Sequence, residues 1–137
     1  MAQNNTPFPI KYKQTARTIN GVFTEMITFG FSNKIVVIIS QFGKIGSLLH
    51  TTLASPPSSE FSSVEVSSEP VANTQFLLGA NTEPIYQIYA SQVSTNISLM
   101  RPTESRPVLL GLALKNPSED KYLFDQVIDM LKQCPVW

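Results

Sequence analysis

Few side chains in this sequence could support nucleophilic catalysis, since it contains one histidine, His50, and one cysteine, Cys134. A serine or cysteine nucleophile needs a base close by, most often a histidine, to take its proton. His50 lies in a segment predicted to be a strand, where we expect it at the surface or at a sheet edge. Cys134 ends an amphipathic helix and is predicted to be a small buried apolar residue. The sequence therefore predicts no catalytic residue and no enzyme activity.

The best candidate for a ligand site is a glycine-containing segment at 43–47, GKIGS, which is similar to part of a phosphate-binding loop. The first glycine of the GxxxxGK pattern would have to be Ile38, and a strand is predicted to follow instead of the helix that would direct its amides at a phosphate. A tight turn is the favoured interpretation. One histidine, one cysteine and dispersed carboxylates form no recognisable set of metal ligands. No metal or other cofactor is predicted.

The distribution of charged and apolar residues argues against nucleic acid and membranes as partners. The ten basic and ten acidic side chains are mixed along the chain, whereas nucleic-acid binding needs several Lys or Arg on one face. The longest apolar stretch, 35–39, is far shorter than the roughly 20 residues that span a bilayer, so neither nucleic acid nor a membrane is a predicted partner. The N-terminus has no apolar run typical of a signal peptide. We expect a location in the cytoplasm, with the nucleus as a second compartment.

The predicted strands determine where the side chains of any functional site would lie. At 137 residues the chain fits a single domain, 1–137, with residues 1–10 as a flexible N-terminus. Strands are predicted at 21–29, 34–41, 47–53, 71–78 and 107–115, in a mainly antiparallel sheet of about six strands. Gly43 and Gly46 indicate a turn, so that 47–53 can return as the second arm of a hairpin. Residues 55–70 contain seven serines and three prolines and are predicted to form a mobile loop.

Two helices complete an α+β fold. The first is capped by Asn81 or Thr82 and tolerates Pro84 in its opening turn. Its predicted apolar stripe is Ile85, Ile88, Tyr89, Val93, Ile97 and Met100. The second is capped by Ser118 and ends before Pro135. Its predicted stripe is Phe124, Val127, Ile128 and Leu131. Both stripes recur at helical spacing, so both helices are expected to pack on one face of the sheet.

The other face of the sheet needs its own cover. The segments 35–39 and 108–114 are apolar at every position apart from Gly111, as strands are when both of their faces are covered. Two helices side by side cover one face only. Either the remaining strands fold over the other face as a second layer, or a partner subunit packs there. The partner is favoured, because large exposed apolar patches usually mark interfaces. We therefore predict a dimer interface on this face.

Five segments carry a resemblance to a known family. They are IVVIISQFGKIGSL at 35–48, FLLG at 76–79, EPIYQIYA at 83–90, PVLLGLALK at 107–115 and VIDMLKQCPVW at 127–137. In this order and spacing they resemble the proteasome assembly chaperone 3 family, and the similarity covers most of the chain from about Lys11, except the serine-rich loop and 98–106. The resemblance implies an antiparallel sheet with helices on it.

The resemblance also implies a function, that of a non-catalytic chaperone acting early in assembly of the proteasome core particle. It would bind α-type subunits and promote formation of the α-ring. Its dimer partner would be a paralogous chaperone, of the assembly chaperone 4 type, or a second copy of itself. A generic interaction module of another complex is the alternative function, and a small hydrolase or nucleotide-binding enzyme is disfavoured for want of residues.

Two further segments, the C-terminus and one turn, are candidates for contact with a partner protein. Some proteasome-binding proteins insert C-terminal tails of the hydrophobic-Tyr-any type into pockets of the α-ring, but Val136 stands here where the tyrosine should be. Tail insertion is therefore not predicted, and Trp137 is expected to fold back onto the core. The candidate partner contact is the exposed hairpin turn that contains Phe42, Lys44 and Ile45.

Overall fold

The computed structural model describes residues 9–43, 46–54, 71–79, 84–118 and 120–137. Along the chain the elements are β1 (Lys11–Ile19), β2 (Val22–Gly30), β3 (Ile35–Ser40), β4 (Ser47–Ala54), β5 (Val71–Leu78), α1 (Pro84–Met100), β6 (Val108–Ala113) and α2 (Lys121–Lys132). The predicted loop at 55–70, residues 1–8 of the predicted flexible N-terminus and the predicted cap of the first helix lie outside the described residues.

The six strands form one open mixed sheet in the order β1-β2-β3-β6-β4-β5. Within the described residues, every neighbouring pair is antiparallel except β3 and β6, which run parallel. Helix α1 packs on β4, β5 and β6, and α2 packs beside α1 and next to β1. The predicted α+β fold, with a mainly antiparallel sheet of about six strands and two helices on one face, is confirmed.

The predicted hairpin between β3 and β4 is wrong. Strand β6 lies between them, in parallel register with β3 and antiparallel to β4. The physical reason is burial: β3 and β6 are the strands that are apolar on both faces, so they occupy the centre of the sheet together. The link from β3 to β4 crosses the end of β6, where Gln41 N donates to Ala113 O. A Cβ at Gly46 would lie 2.8 Å from Leu112 O, so this crossing requires a glycine.

The first strand was missed by the sequence analysis. Strand β1, KYKQTARTI, is an edge strand with mostly exposed residues, and it lacks the apolar alternation that identifies a strand. The available signal was the Asn20-Gly21 pair, a common hairpin turn. Both residues have positive φ, 52° and 77°, as a type I′ turn requires. Strands β1 and β2 pair in register along their whole length.

The helices differ from their predicted stripes in detail. On α1, Ile88 and Met100 are exposed, whereas Tyr86, Ala90 and Ser94 are buried with the predicted Tyr89, Val93 and Ile97. On α2, Leu123 and Met130 are buried beside Val127 and Leu131, and Phe124 and Ile128 are half-buried. The cap of α2 is Asp120 and not Ser118, because the Asp120 carboxylate accepts from Leu123 N at 2.9 Å. The helix begins at Lys121, three residues after Ser118.

The core lies between the helices and one face of the sheet, called here the helix face. Its central side chains are fully buried: Ile35, Val37 and Ile39 of β3, and Leu110 and Leu112 of β6. Because side chains alternate along a strand, Val36, Ile38 and Leu109 point to the opposite side. Those three are only half-buried. The sheet therefore has one covered face and one apolar face on which neither helix packs.

The C-terminal tail folds back onto the helix face, as predicted for Trp137. Thr28 Oγ1 of β2 donates to Cys134 O at 2.8 Å, and a Cβ at Gly30 would lie 3.0 Å from Val136 O. Trp137 belongs to the hydrophobic core cluster. Cys134 is buried as predicted, and burial raises the pKa of its thiol above the ordinary value. The thiol is therefore held in its neutral, less nucleophilic form.

Arg106, just before β6, ties this tail to the β2–β3 turn. Its Nη1 donates to Phe31 O at 2.8 Å and its Nη2 contacts Val136 O at 3.5 Å. The guanidinium is held in turn by Glu104, whose Oε1 and Oε2 accept from Nε at 2.7 Å and from Nη2 at 2.9 Å. The side chain of Glu104 is almost fully buried. The hydrogen bonds from Arg106 lower the pKa of Glu104 below its ordinary value.

Replacing Glu104 with glutamine is expected to remove a pH-dependent part of the stability. A carboxylate with a lowered folded-state pKa adds stability that is fully present above its unfolded pKa, about 4.3, and is lost as the pH falls through the folded-state value. We expect E104Q to lower the free energy of unfolding by about 1–2 kcal/mol at pH 7, and by less in acid. Urea unfolding at pH 7 and pH 3 measures this difference.

The control for E104Q is D129N. Asp129 pairs with Arg17 at 3.0 Å on the surface of α2, where an exposed ion pair contributes at most about 1 kcal/mol. We expect D129N to change the unfolding free energy little at either pH. A loss at pH 7 that is the same size for both variants would contradict the role assigned to the buried carboxylate.

Candidate functional site: the open face of the sheet

The candidate site is the sheet face opposite the helices, called here the open face. The strand registers arrange its side chains in rows that run across the sheet. Row A consists of Ala16, Glu25, Ser40 and Ala113; row B of Gln14, Ile27, Ile38, Gly111 and Leu48; and row C of Tyr12, Phe29, Val36, Leu109 and His50. Each residue in a row is the paired neighbour of the next, so the rows are about 7 Å apart along the strands.

The centre of the open face is apolar. Ile27, Phe29, Val36, Ile38 and Leu109 are all half-buried, although they lie in the interior of a six-stranded sheet. Apolar side chains in that position are normally covered by a second layer. A contiguous apolar surface of this kind indicates a binding surface for protein. The apolar residues on both sides of β3 and β6 predict this surface from the sequence.

One corner of the open face protrudes. The rings of Tyr12 and Phe29 lie with centroids 6.4 Å apart, and those of Phe29 and Phe31 lie 6.0 Å apart, both in tilted arrangements. Tyr12 is 50% exposed. Aromatic side chains supply large contact areas and are enriched at protein interfaces. Sequence reasoning did not identify this cluster, because Tyr12 belongs to the strand it missed.

Another corner is recessed. A groove of about 370 Å³ runs along the first three strands and is lined on the open face by Gln14, Ala16, Glu25, Ile27, Ile38 and Ser40. Three of these residues belong to row A, where the small side chains Ala16 and Ser40 lie on either side of Glu25. The groove mixes apolar walls with carboxylate, amide and hydroxyl groups. It can therefore accept a large side chain that is mostly apolar.

The open face offers no visible catalytic arrangement in the described part of the chain. Its titratable side chains include Glu25 in row A and His50 in row C, which lie at opposite ends of the face. His50 is half-buried on β4, an interior strand, so of the two predicted positions, surface or sheet edge, it occupies the surface of the open face. No group of three or more His, Cys, Asp or Glu side chains among the described residues could hold a metal ion. What the face can do chemically is bind another apolar surface.

Of the predicted contact residues, only Phe42 is described, and Lys44 and Ile45 lie outside the described residues. Phe42 lies two residues after the end of β3 and is 52% exposed. Its backbone N–H donates to Ser40 Oγ at 3.3 Å. The turn belongs to the crossover from β3 to β4 and not to a hairpin. A partner contact through these three residues stays a prediction.

Comparison with known proteins decides the family. The family model of proteasome assembly chaperone 3 matches residues 37–134 of the chain, which extend from within β3 to just past the end of α2. The chain belongs to the proteasome assembly chaperone 3 family. Membership confirms the resemblance drawn from the five sequence segments and places the chain among the chaperones of proteasome assembly. The matched residues include all of β6 and most of β3, the two strands at the centre of the open face.

Individual relatives match most or nearly all of the chain. The chain is 33% identical over 133 residues to the human protein called proteasome assembly chaperone 3, covering 97% of this chain and 98% of the relative. A relative of the same name from Nematostella vectensis is 29% identical over 108 residues, covering 79% of this chain and 78% of the relative.

A solved structure shares the fold. A chain from the crystal structure of a chaperone complex for yeast 20S proteasome assembly superposes with a TM-score of 0.69, covering 90% of this chain and 97% of that chain, at 11% sequence identity. Identity at that level supports the fold alone. Across the described residues, no helix is long and apolar enough to cross a membrane.

Proposed function

We propose that the chain is a non-catalytic chaperone of early proteasome core particle assembly that works in the cytoplasm as a dimer joined through the open face. Its dimer partner is a paralogous chaperone of the assembly chaperone 4 type or a second copy of the chain. The dimer binds α-type subunits and promotes formation of the α-ring. The observation that carries the proposal is the apolar open face, in a member of an assembly chaperone family.

The size of the open face suits a dimer. Six strands spaced ~4.8 Å apart, with about six residues each at ~3.3 Å, give a face of roughly 600 Å² in projection. Stable interfaces bury about 800 Å² per partner once the relief of the side chains is included. Two sheets can pack face to face at about 10 Å and interdigitate their side chains. A partner sheet of the same area can therefore cover the half-buried apolar residues of the open face, with no contribution from the helices.

The test compares two identical substitutions at different surfaces, Leu109→Lys and Leu99→Lys. Leu109 lies near the centre of the open face, whereas Leu99 is 73% exposed on α1. A charge at the centre of an apolar interface must lose its hydration without a partner. We expect L109K to weaken dimer formation at least tenfold by sedimentation and to reduce capture of α-type subunits in a pull-down. We expect L99K to retain both.

Circular dichroism and melting of each variant check that the fold is intact. If L109K formed dimers with unchanged affinity, the open face would not be the dimer interface. If L109K lost the dimer and still captured α-type subunits, the subunits would bind the monomer, and dimerisation would serve another purpose.

A further inference from the structure

We propose that the outer edge of β5 and the adjacent side of α1 bind an extended peptide segment of another protein, which joins the sheet as a seventh strand. The side chains that this segment directs toward α1 are apolar and uncharged. The surface contains no residue of rows A, B or C, so the proposal goes beyond the dimer of the proposed function and does not depend on it.

The first argument is the backbone at the edge of β5. Among the described residues, β5 pairs with β4 alone, and residues 71–76 pair with it without a break. In an antiparallel pair, the N–H and C=O groups of alternate residues point to opposite sides, so about half of these groups point away from β4. Such an edge is a template for another strand. Only the main chain of an extended segment supplies donors and acceptors at the matching spacing.

The second argument is the contrast between the two edges of the sheet. At the other edge, β1 carries Lys11 and Lys13, both exposed. Lysines on an edge strand oppose pairing with another chain. Strand β5 has the sequence VANTQFLL, which contains no charged residue and no proline. Its last two residues, Leu77 and Leu78, are 51% and 61% exposed. Nothing in the sequence of β5 therefore opposes the addition of a strand.

The third argument is a groove beside this edge, called here the edge groove. It has a volume of about 570 Å³ and is lined by Thr74 of β5 and by Pro84, Gln87, Ile88, Ser91 and Gln92 of α1. The α1 residues recur at three- or four-residue spacing, so they form one side of the helix. Domains that bind peptides by strand addition combine a free sheet edge with pockets for alternate side chains. The edge of β5 and the edge groove together provide both features.

The lining of the edge groove indicates the chemistry of the bound segment. All six lining residues are uncharged, so a charged side chain would lose hydration there without an ionic partner. Ile88 is 51% exposed and offers an apolar contact. Side chains alternate along a strand, so the neighbours of Thr74, the exposed Asn73 and Gln75, lie on the opposite side of β5. The segment that fits thus alternates apolar residues, toward α1, with uncharged polar ones.

The test uses a synthetic peptide in which threonine alternates with valine or leucine over about six residues, with lysines at both ends for solubility. We expect this peptide to slow hydrogen exchange at every second amide of β5 at least tenfold, measured by NMR. The slowed amides are those that point away from β4. Amides that already donate to β4 are expected to change less than twofold, because their hydrogen bonds exist without the peptide.

The control peptide has the same side chains and carries N-methyl groups on alternate amides, which removes the donors on one side of its main chain. Two control peptides, methylated on one side or on the other, cover both orientations of the strand. We expect one of them to slow no amide of β5. If both bound as tightly as the unmethylated peptide, the contact would be made by side chains, and strand addition would be overturned.

The control variants compare the same substitution at two positions of α1. Gln87→Trp fills the edge groove and is expected to weaken peptide binding at least tenfold, measured by fluorescence polarisation. Leu99→Trp lies outside the edge groove and is expected to change binding less than twofold. Gln87 and Leu99 are both exposed, so both variants should melt as wild type does. Equal binding by Q87W and L99W would overturn the assignment of the groove.

The remaining outcomes identify other occupants of the edge. If no amide of β5 slows up to the solubility limit of the peptide, strand addition is overturned. If the outward amides already exchange slowly in the free protein at every dilution, the chain itself covers the edge. If they exchange slowly only at high protein concentration, a second copy covers it. Both results would overturn the proposal. We expect L109K to bind the peptide as wild type does, so a failure of the dimer and a failure of strand addition are distinguishable.

Discussion

Replacing Trp137 with alanine is expected to lower the free energy of unfolding by about 2–4 kcal/mol. Trp137 is only 8% exposed and belongs to the core cluster. Burying a tryptophan removes on the order of 200 Å² from water, worth up to roughly 5 kcal/mol at about 25 cal/mol per Å². The loss is smaller than this upper bound because the end of the chain can relax into part of the space. Urea or guanidinium unfolding followed by circular dichroism measures it.

The matched control for Trp137→Ala is Trp137→Phe. The indole Nε1 is buried and has no hydrogen-bond partner among the described residues, so replacing the indole with a phenyl ring removes an unsatisfied donor while keeping most of the apolar contact. We expect W137F to lose at most about half of what W137A loses. If W137A kept wild-type stability while binding of an α-type subunit weakened, Trp137 would be an interface anchor instead of a core residue.

Replacing Gly79 with alanine is expected to destabilise the protein by about 2–3 kcal/mol. Gly79 follows β5 with φ +96°, a conformation that residues with a Cβ rarely adopt. A Cβ there would lie 2.6 Å from Ser47 Oγ and 3.0 Å from Ser47 Cα. The strain of the backbone and the clash with the start of β4 therefore act together. Equilibrium unfolding of G79A against wild type gives the difference.

The control for Gly79→Ala is Gly21→Ala, because the two glycines share a positive φ and differ in their surroundings. Gly21 has φ +77°, and a Cβ there would meet nothing within 4 Å. Backbone strain alone at a positive φ costs about 1–2 kcal/mol. We expect G21A to lose less stability than G79A, and the difference between them measures the clash with Ser47. Equal losses would mean that Ser47 moves aside without cost.

The two stability variants also limit how the binding variants are interpreted. Trp137 and Gly79 lie away from the centre of the open face, Trp137 in the core against the helix face and Gly79 at the end of β5. A loss of partner binding in W137A or G79A should therefore follow the loss of folded protein. Leu109→Lys should instead change binding while its melting curve stays near that of wild type.

Local sequence patterns were sufficient for most of the secondary structure. The β-branched run of β3 and the apolar run of β6 predict strands because such side chains suit a pleated surface. The Pro84 start of α1 and the Pro135 stop after α2 limit helices for backbone reasons that need no tertiary context. The apolar residues on both sides of β3 and β6 predicted that the sheet face opposite the helices is apolar at its centre, as it is. Strand β1 was not predicted, because an edge strand can be polar on both sides and then lacks the alternation of apolar residues that identifies a strand.

The sequence by itself therefore determined both helices and all strands but β1, that Trp137 returns to the core, and that the two central strands are apolar on both faces. Only the tertiary structure decided the order of the strands. Periodicity reports how many faces of a strand are buried but not which strand lies beside it, so β6, about 70 residues after β3, could not be placed between β3 and β4. The groove and the aromatic cluster depend on that order and on the register of β1, because rows of side chains exist only where paired strands align them.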